Sequence, residues 1–180
     1  MIYFTADMHF CHANIIKLCG RPFHNMAEMN EKLIENWNFC VKEKDEIYVL
    51  GDFLYKGNGI EANNILKRLN GIKYLIKGNH DLFIKDEIFD KNNFQWIKDY
   101  YVLNYQKIKI VLFHYPIFEW EGYFSDSLHL YGHVHNCGKN AEQQKRFNLL
   151  GKRAINVGVD VHNFSPVSIQ SILKMTGQYA

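Results

Sequence analysis

Residues 72–81 read Ile72-Lys73-Tyr74-Leu75-Ile76-Lys77-Gly78-Asn79-His80-Asp81, a short apolar, β-prone run halted by a polar loop that contains glycine. The same layout occurs twice upstream. Glu46-Ile47-Tyr48-Val49-Leu50 is stopped by Gly51-Asp52, and Ile2-Tyr3-Phe4-Thr5-Ala6 ends at the carboxylate of Asp7. Runs of this kind read as buried strands. Between them lie two segments of helical periodicity. Met26, Met29, Leu33, Trp37 and Cys40, with Ile34 and Val41 alongside, predict a helix over residues 26–43, opened by Asn25-Met26-Ala27-Glu28 as a capping box. Ala62, Ile65, Leu66 and Leu69 predict another, closed by Asn70-Gly71. A β-α-β-α-β order implies a mainly parallel sheet with right-handed crossovers, and it gathers the polar loops at the carboxyl ends of the strands.

The second half reads as strands near 95–103, 107–113, 128–131 and 154–158, then a short helix that begins at Ser165-Pro166 and carries Ile169, Ile172 and Leu173. Strands without intervening helices imply a second, mixed sheet. The expected fold is α/β: two mixed sheets packed face to face with helices outside, a four-layer α/β/β/α sandwich. With 180 residues and no repeat, linker or composition shift, residues 1–180 read as a single domain. Hydrophobic residues at 47% and charged residues at 22% exclude a disordered or low-complexity chain. A formal charge of +2 gives no basic excess that would favour nucleic acid as a partner. The longest apolar run, Ile108 to Phe118, is broken by Lys109, His114 and Pro116, so no membrane span is expected. The N-terminus shows no secretory leader, which points to the cytoplasm. Cys11, Cys19, Cys40 and Cys137 form no C-x-x-C pair and read as small hydrophobes in a reducing compartment.

Five polar clusters sit at the strand ends: Asp7-Met8-His9, Gly51-Asp52, Gly78-Asn79-His80-Asp81, His114, and Gly132-His133-Val134-His135. In extended backbone, residues i and i+2 point the same way, so Asp7 and His9 can converge on one ion, and His133 and His135 on one cavity. Mixed imidazole and carboxylate donors suit Mn, Fe, Zn or Ni better than the all-oxygen shells of Ca and Mg. Taken singly, each cluster is an ordinary turn, and a lone histidine such as His114 is ordinary core. Their order along one chain favours a metal site.

The series D-x-H, GD, GNHD, a lone histidine after an apolar strand, and GHxH resembles the calcineurin-like metallophosphoesterase family and is complete from Asp7 to His135. The opening Asp7-Met8-His9-Phe10-Cys11-His12-Ala13-Asn14-Ile15-Ile16, followed by Arg21-Pro22-Phe23, looks like the small, cap-less bacterial and phage branch. The resemblance implies that Asp7, His9, Asp52 and His135 hold one divalent ion and Asn79, His114 and His133 a second, with Asp52 between them. It implies His80 as proton donor, Asp81 as its orienter, and attack by a water made acidic between the ions. Mn is the expected metal, with Fe, Zn or Ni as alternatives.

His12 reads either as a phosphate ligand at a helix start or as a solvent-facing cap, and Arg21 either as a phosphate-binding fork or as a loop anchor. His24, His129 and His162 match no motif position. Asn156-Val157-Gly158-Val159-Asp160 resembles the family's last strand beside the site, with a packing role. Lys139, Lys145, Arg146, Lys152 and Arg153 read as a solvated basic hairpin, or as a guide for an anionic substrate. Tyr55, Tyr115, Trp120 and Tyr123 flank the loops as rim packing or as stacking surfaces.

After Gly51-Asp52 the chain continues Phe53-Leu54-Tyr55-Lys56 with no arginine, a departure from the protein-phosphatase members. The chain is also too short for the cap domains of the family's nucleases. The expected activity is hydrolysis of small phosphodiesters, nucleotide-like or cyclic. Phosphomonoester or nucleotide hydrolysis at the same site is the second reading, and a non-catalytic interaction scaffold the third.

Overall fold

Why the first half forms a sheet buried on both faces is visible in its alternation. In the computed structural model, which describes residues 1–135 and 149–178, β1 (Ile2–Thr5), β2 (Glu46–Leu50) and β3 (Ile72–Ile76) run parallel. Along β2, Ile47 and Val49 face one hydrophobic cluster while Tyr48 and Leu50 face another. The register Val49↔Leu75 and Leu50↔Ile76 continues each set across β3. Successive strand residues project to opposite faces, so strands covered on both sides are apolar almost throughout.

The first cluster is closed by three helices. α1 spans Ala13–Cys19, α2 Met26–Cys40 and α3 Gly59–Leu66. α2 buries Met29, Leu33, Ile34 and Trp37, each worth about 1.5–3 kcal/mol when removed from water. Asn25 caps it, accepting from Glu28 N at 2.9 Å, while Glu28 reaches back to His24 N rather than to Asn25. The helix stops at Cys40, short of the expected residue 43. Val41 is extended, and the Asp45 carboxylate accepts from Lys42 N at 2.8 Å, which offers the backbone a turn instead.

The expected strand over 95–103 is two strands. β4 (Ile97–Lys98) adds to the first sheet beside β3, whereas β5 (Tyr100–Tyr105) crosses to the second and pairs antiparallel with β6 (Ile108–Phe113). β7 (Leu128–Tyr131) and β8 (Ala154–Asn156) extend that sheet in parallel. The late helix, α4 (Ile169–Thr176), also begins later than Ser165-Pro166. Val167–Ser168 forms β9, antiparallel to β1, and Ser168 caps the helix by accepting from Ser171 N. The sheet orders are thus β4-β3-β2-β1-β9 and β5-β6-β7-β8. Phe4, Leu50 and Ile76 of one sheet meet Ile110, Leu112, Leu128 and Leu130 of the other, so two mixed sheets share a core with helices outside.

No helix among the described residues is long and apolar enough to cross a membrane. Cys11 and Cys40 are free thiols, but Cys19 is disulfide-bonded, which corrects the reading of all the cysteines as simple hydrophobes. Cys137, Lys139, Lys145 and Arg146 lie outside the described residues. Of the basic stretch that is described, Arg153 donates to Tyr123 O and Ser125 O at 2.7 Å each, fixing a loop.

Candidate metal centre

The site begins where three parallel strands end side by side. Beyond β1 and β2 the loops stay paired: Asp7 N donates to Gly51 O, His9 N to Asp52 O and Phe10 N to Phe53 O. This ladder holds Asp7, His9 and Asp52 in one layer. Asp7, His9, Asp52 and His133 have φ of 59°, 50°, 53° and 66°. Non-glycine residues in this left-handed region cost about 1–3 kcal/mol each and cluster at functional sites. The convergence of Asp7 and His9 therefore comes from alternate left-handed turns, not from the strand pleat expected from their i, i+2 spacing.

Glycine precedes the donors for a steric reason. A Cβ on Gly78 would collide with the Asp52 carboxylate, and one on Gly51 with the His114 ring. At Gly132 and Gly158 it would come within 2.9 and 2.8 Å of Asp7 Oδ2.

Two donor sets result. The nitrogen and oxygen donors of Asp7, His9 and His135 lie within 4.8 Å of one another, as do those of Asp52, His114 and His133. Asn79 Oδ1 joins the second set, 3.1 Å from His114 Nε2 and 3.0 Å from His133 Nδ1. Asp52 Oδ2 lies between the sets, 3.5 Å from His9 Nε2 and 3.6 Å from His114 Nε2. His9 Nε2 and His135 Nε2 face each other at 3.1 Å.

These residues fit divalent ions. Asp7 Oδ2 is buried with no hydrogen-bond partner, and burial pushes the Asp7 carboxyl up to about 7. A buried carboxylate without a counter-charge is costly, and a cation removes that cost. Burial lowers the pKa of His9, His114 and His133, leaving neutral imidazoles with lone pairs to give. Among the expected ligands, Asp7, His9, Asp52, Asn79, His114, His133 and His135 are all brought to one cleft.

His80 stands over the first set, its ring centre 5.3 Å from that of His9 and 4.9 Å from that of Tyr55. Its backbone N donates to Asp52 Oδ1 at 2.8 Å, which aims the other carboxylate oxygen into the site. Asp81 makes no bond to the His80 ring, contrary to the orienting contact expected of it. Its buried carboxylate accepts from Gly78 N at 2.8 Å, Asp52 N at 2.9 Å and Phe53 N at 2.7 Å. Asp81 therefore welds the GD and GNHD loops together through their backbones.

Arg21 and His12, the two candidates for substrate binding, take different places. Arg21 is buried and its guanidinium is fully used inside the fold: Nε and Nη2 donate to Asp160 at 2.8 and 3.0 Å, Nη2 to Asp7 O at 2.8 Å and Nη1 to Met8 O at 2.9 Å. No donor is left for a phosphate, so it is the loop anchor. His12 is buried and stacked on Tyr55 with ring centres 3.5 Å apart. Burial, then nearby His80, pushes it down to about 4, so it stands beside the first donor set as a neutral imidazole and is not a solvent-facing cap.

Sequence reasoning missed Asp160. His135 Nδ1 donates to its Oδ2 at 2.7 Å. Burial works against charge on His135, but the bond to Asp160, with Asp7 nearby, outweighs it and holds that imidazole above its ordinary range. A carboxylate on the far nitrogen fixes the tautomer and turns Nε2 into the cleft toward His9. The signal was present in Gly158-Val159-Asp160, a glycine and an acid just past a strand end. Outside the site, His129 is buried, within 3.3 Å of Val111 O, and His162 donates to Asn156 O at 2.8 Å. His24 is exposed.

The sequence model of the family described as calcineurin-like phosphoesterase matches residues 1–137. An uncharacterized protein of Methanocaldococcus jannaschii is 39% identical over 175 residues, covering 97% of this chain and 90% of that protein. The crystal structure of a protein of unknown function from Aquifex aeolicus, 29% identical, superimposes with a TM-score of 0.74 over 97% of this chain and 98% of that one. The matched span holds every donor described above except the supporting Asp160, and the chain belongs to the calcineurin-like phosphoesterases.

Proposed function

We propose that this chain, acting as one domain, hydrolyses small phosphodiesters, nucleotide-like or cyclic, with Asp7, His9, Asp52 and His135 holding one divalent ion and Asn79, His114 and His133 the other. The observation that carries this reading is Asp52, whose Oδ2 lies 3.5 Å from one donor set and 3.6 Å from the other. When bound, two such ions clamp phosphoryl oxygens and lower the pKa of a water toward neutrality. Mn matches the mixed imidazole and carboxylate donors.

The chain's own residues do the rest. The backbone bond from His80 to Asp52 Oδ1 keeps the shared carboxylate in place, and Asp81 locks both loops. The His80 ring, half-buried above the first set, delivers a proton to the departing ester oxygen. The preference for diesters rests on charge. Each described arginine is committed elsewhere, Arg21 to Asp160, Arg68 to Glu31 and Arg153 to backbone carbonyls. Among the described residues no guanidinium is left for a dianionic monoester, whereas a diester carries one charge.

The test is turnover of a bis-aryl phosphate against the matching aryl monoester by Mn-loaded protein. The diester is expected to be the better substrate, and a monoester preference would replace this reading with a phosphomonoesterase. His80→Ala should keep its metal and lose about 10²–10⁴-fold in turnover on alkyl leaving groups. Unchanged turnover would remove His80 from the reaction.

A further inference from the structure

A cavity of about 490 Å³ opens beside the GNHD loop. Gly78 and Asp81 of that loop form one wall, and Leu82, Ile84, Phe113 and Tyr115 form most of the rest. Tyr115 connects it to the metal centre, its hydroxyl 3.5 Å from Asn79 Oδ1. A second cavity of about 480 Å³ shares Lys77 and Ile84 with the first and continues past Lys91 and Trp96. The two make one groove that starts at the metal-binding loop and runs along the edge strand β4.

Its chemistry alternates flat apolar surface with ammonium groups. Phe113 and Tyr115 line the near end, and Trp96, its ring packed against Tyr74 and Tyr101 and covered by Lys98, lines the far end. Lys77 is paired with Asp99 at 2.7 Å, but Lys85 and Lys91 have no anionic partner among the described residues. Aromatic faces interleaved with lysines in a groove are the pattern that holds bases and backbone phosphates of a single strand. Each cavity lies within the range of 300–1,000 Å³ or so that accommodates a nucleoside-sized group.

Building on the phosphodiester reading, we propose that this groove binds the arm of the substrate beyond the scissile bond, and that the arm is a nucleotide carrying at least one further phosphate: the end of a short single-stranded oligonucleotide. The first cavity takes the base adjoining the reacting phosphorus. Lys85 and Lys91 take the next phosphate.

Two measurements test it. With Mn-loaded protein, dithymidine monophosphate is compared with its 5′- and 3′-phosphorylated forms. One of these should show a KM lower by about two- to fivefold for a contact of this exposure, with kcat unchanged and the gain lost in Lys85→Ala. In chelator, where no metal contributes, anisotropy of fluorescein-labelled hexathymidylate should report weaker binding in Lys85→Ala and Lys91→Ala. The slope of log Kd against log salt should fall by about 0.7 per lysine. Lys44→Ala, just ahead of β2 at the opposite end of the sheet, should match the parent in both. Binding and KM that ignore both groove substitutions overturn the proposal. Lysine-dependent binding without cleavage of any dinucleotide would keep the groove and sink the phosphodiesterase reading instead.

Discussion

Asp160 belongs to neither donor set and still governs one of them. It accepts from His135 Nδ1 and from Arg21, which in turn holds the backbone carbonyls of Asp7 and Met8. One carboxylate thus fixes the tautomer of His135 and the position of the loop that carries Asp7 and His9. Asp160→Asn should weaken binding at the Asp7/His9/His135 set by about 10- to 100-fold while leaving the other set intact. Calorimetric titration with Mn resolves the two sites, and equal affinity for both in the variant would contradict the role. The donors themselves were legible because metal chemistry restricts residue type, and because glycine stands before Asp52, Asn79 and His133 where a Cβ would strike a neighbouring donor or the β1 end. Partnerships between buried polar groups were not legible. Nothing local in Arg21-Pro22 or His80-Asp81 says that the arginine faces Asp160 across 139 positions or that Asp81 faces backbone amides.

At the scale of elements, the strand ends do the positioning and the helices hold them steady. α3 shows how: Asn58 Oδ1 accepts from Glu61 N while Glu61 accepts from Asn58 N, both at 3.0 Å, and Gly59 N donates to Asp86 at 2.8 Å. Asn58→Ala should cost about 1 kcal/mol in chemical denaturation and leave Mn affinity unchanged. A loss of metal binding would mean that α3 supports the site more directly than its contacts indicate. β2 and β3 could be read to the residue because glycine stops each of them and their apolar runs are continuous. The split between β4 and β5 could not. Trp96-Ile97-Lys98-Asp99-Tyr100-Tyr101 contains no glycine or proline to mark a break, and a change of sheet alters pairing partners without altering periodicity. The capping box of α3 was open to reading in Asn58-Gly59-Ile60-Glu61, whereas the delayed start of α4 depended on Ser168 pairing with Tyr3, a contact made only once β1 is in place.

Across the whole molecule, function is concentrated rather than spread. Six of nine histidines, His9, His12, His80, His114, His133 and His135, gather at one cleft together with Asp7 and Asp52, although the formal charge of the chain is only +2. Two divalent ions would add four positive charges there, so the near-neutral total coexists with a strongly positive focus suited to a phosphate. Four donor-bearing residues in left-handed conformations, a carboxylate without a partner and facing imidazole nitrogens are each costly in isolation. They make sense together only if cations complete them. The measurement that tests this most directly is the number of Mn ions bound per chain by chelator-stripped protein, read by titration calorimetry on the parent and on His133→Ala, whose side chain lies at the exposed rim. Two ions are expected for the parent and one for the variant; one ion or none in the parent, or two in the variant, would overturn the dinuclear centre.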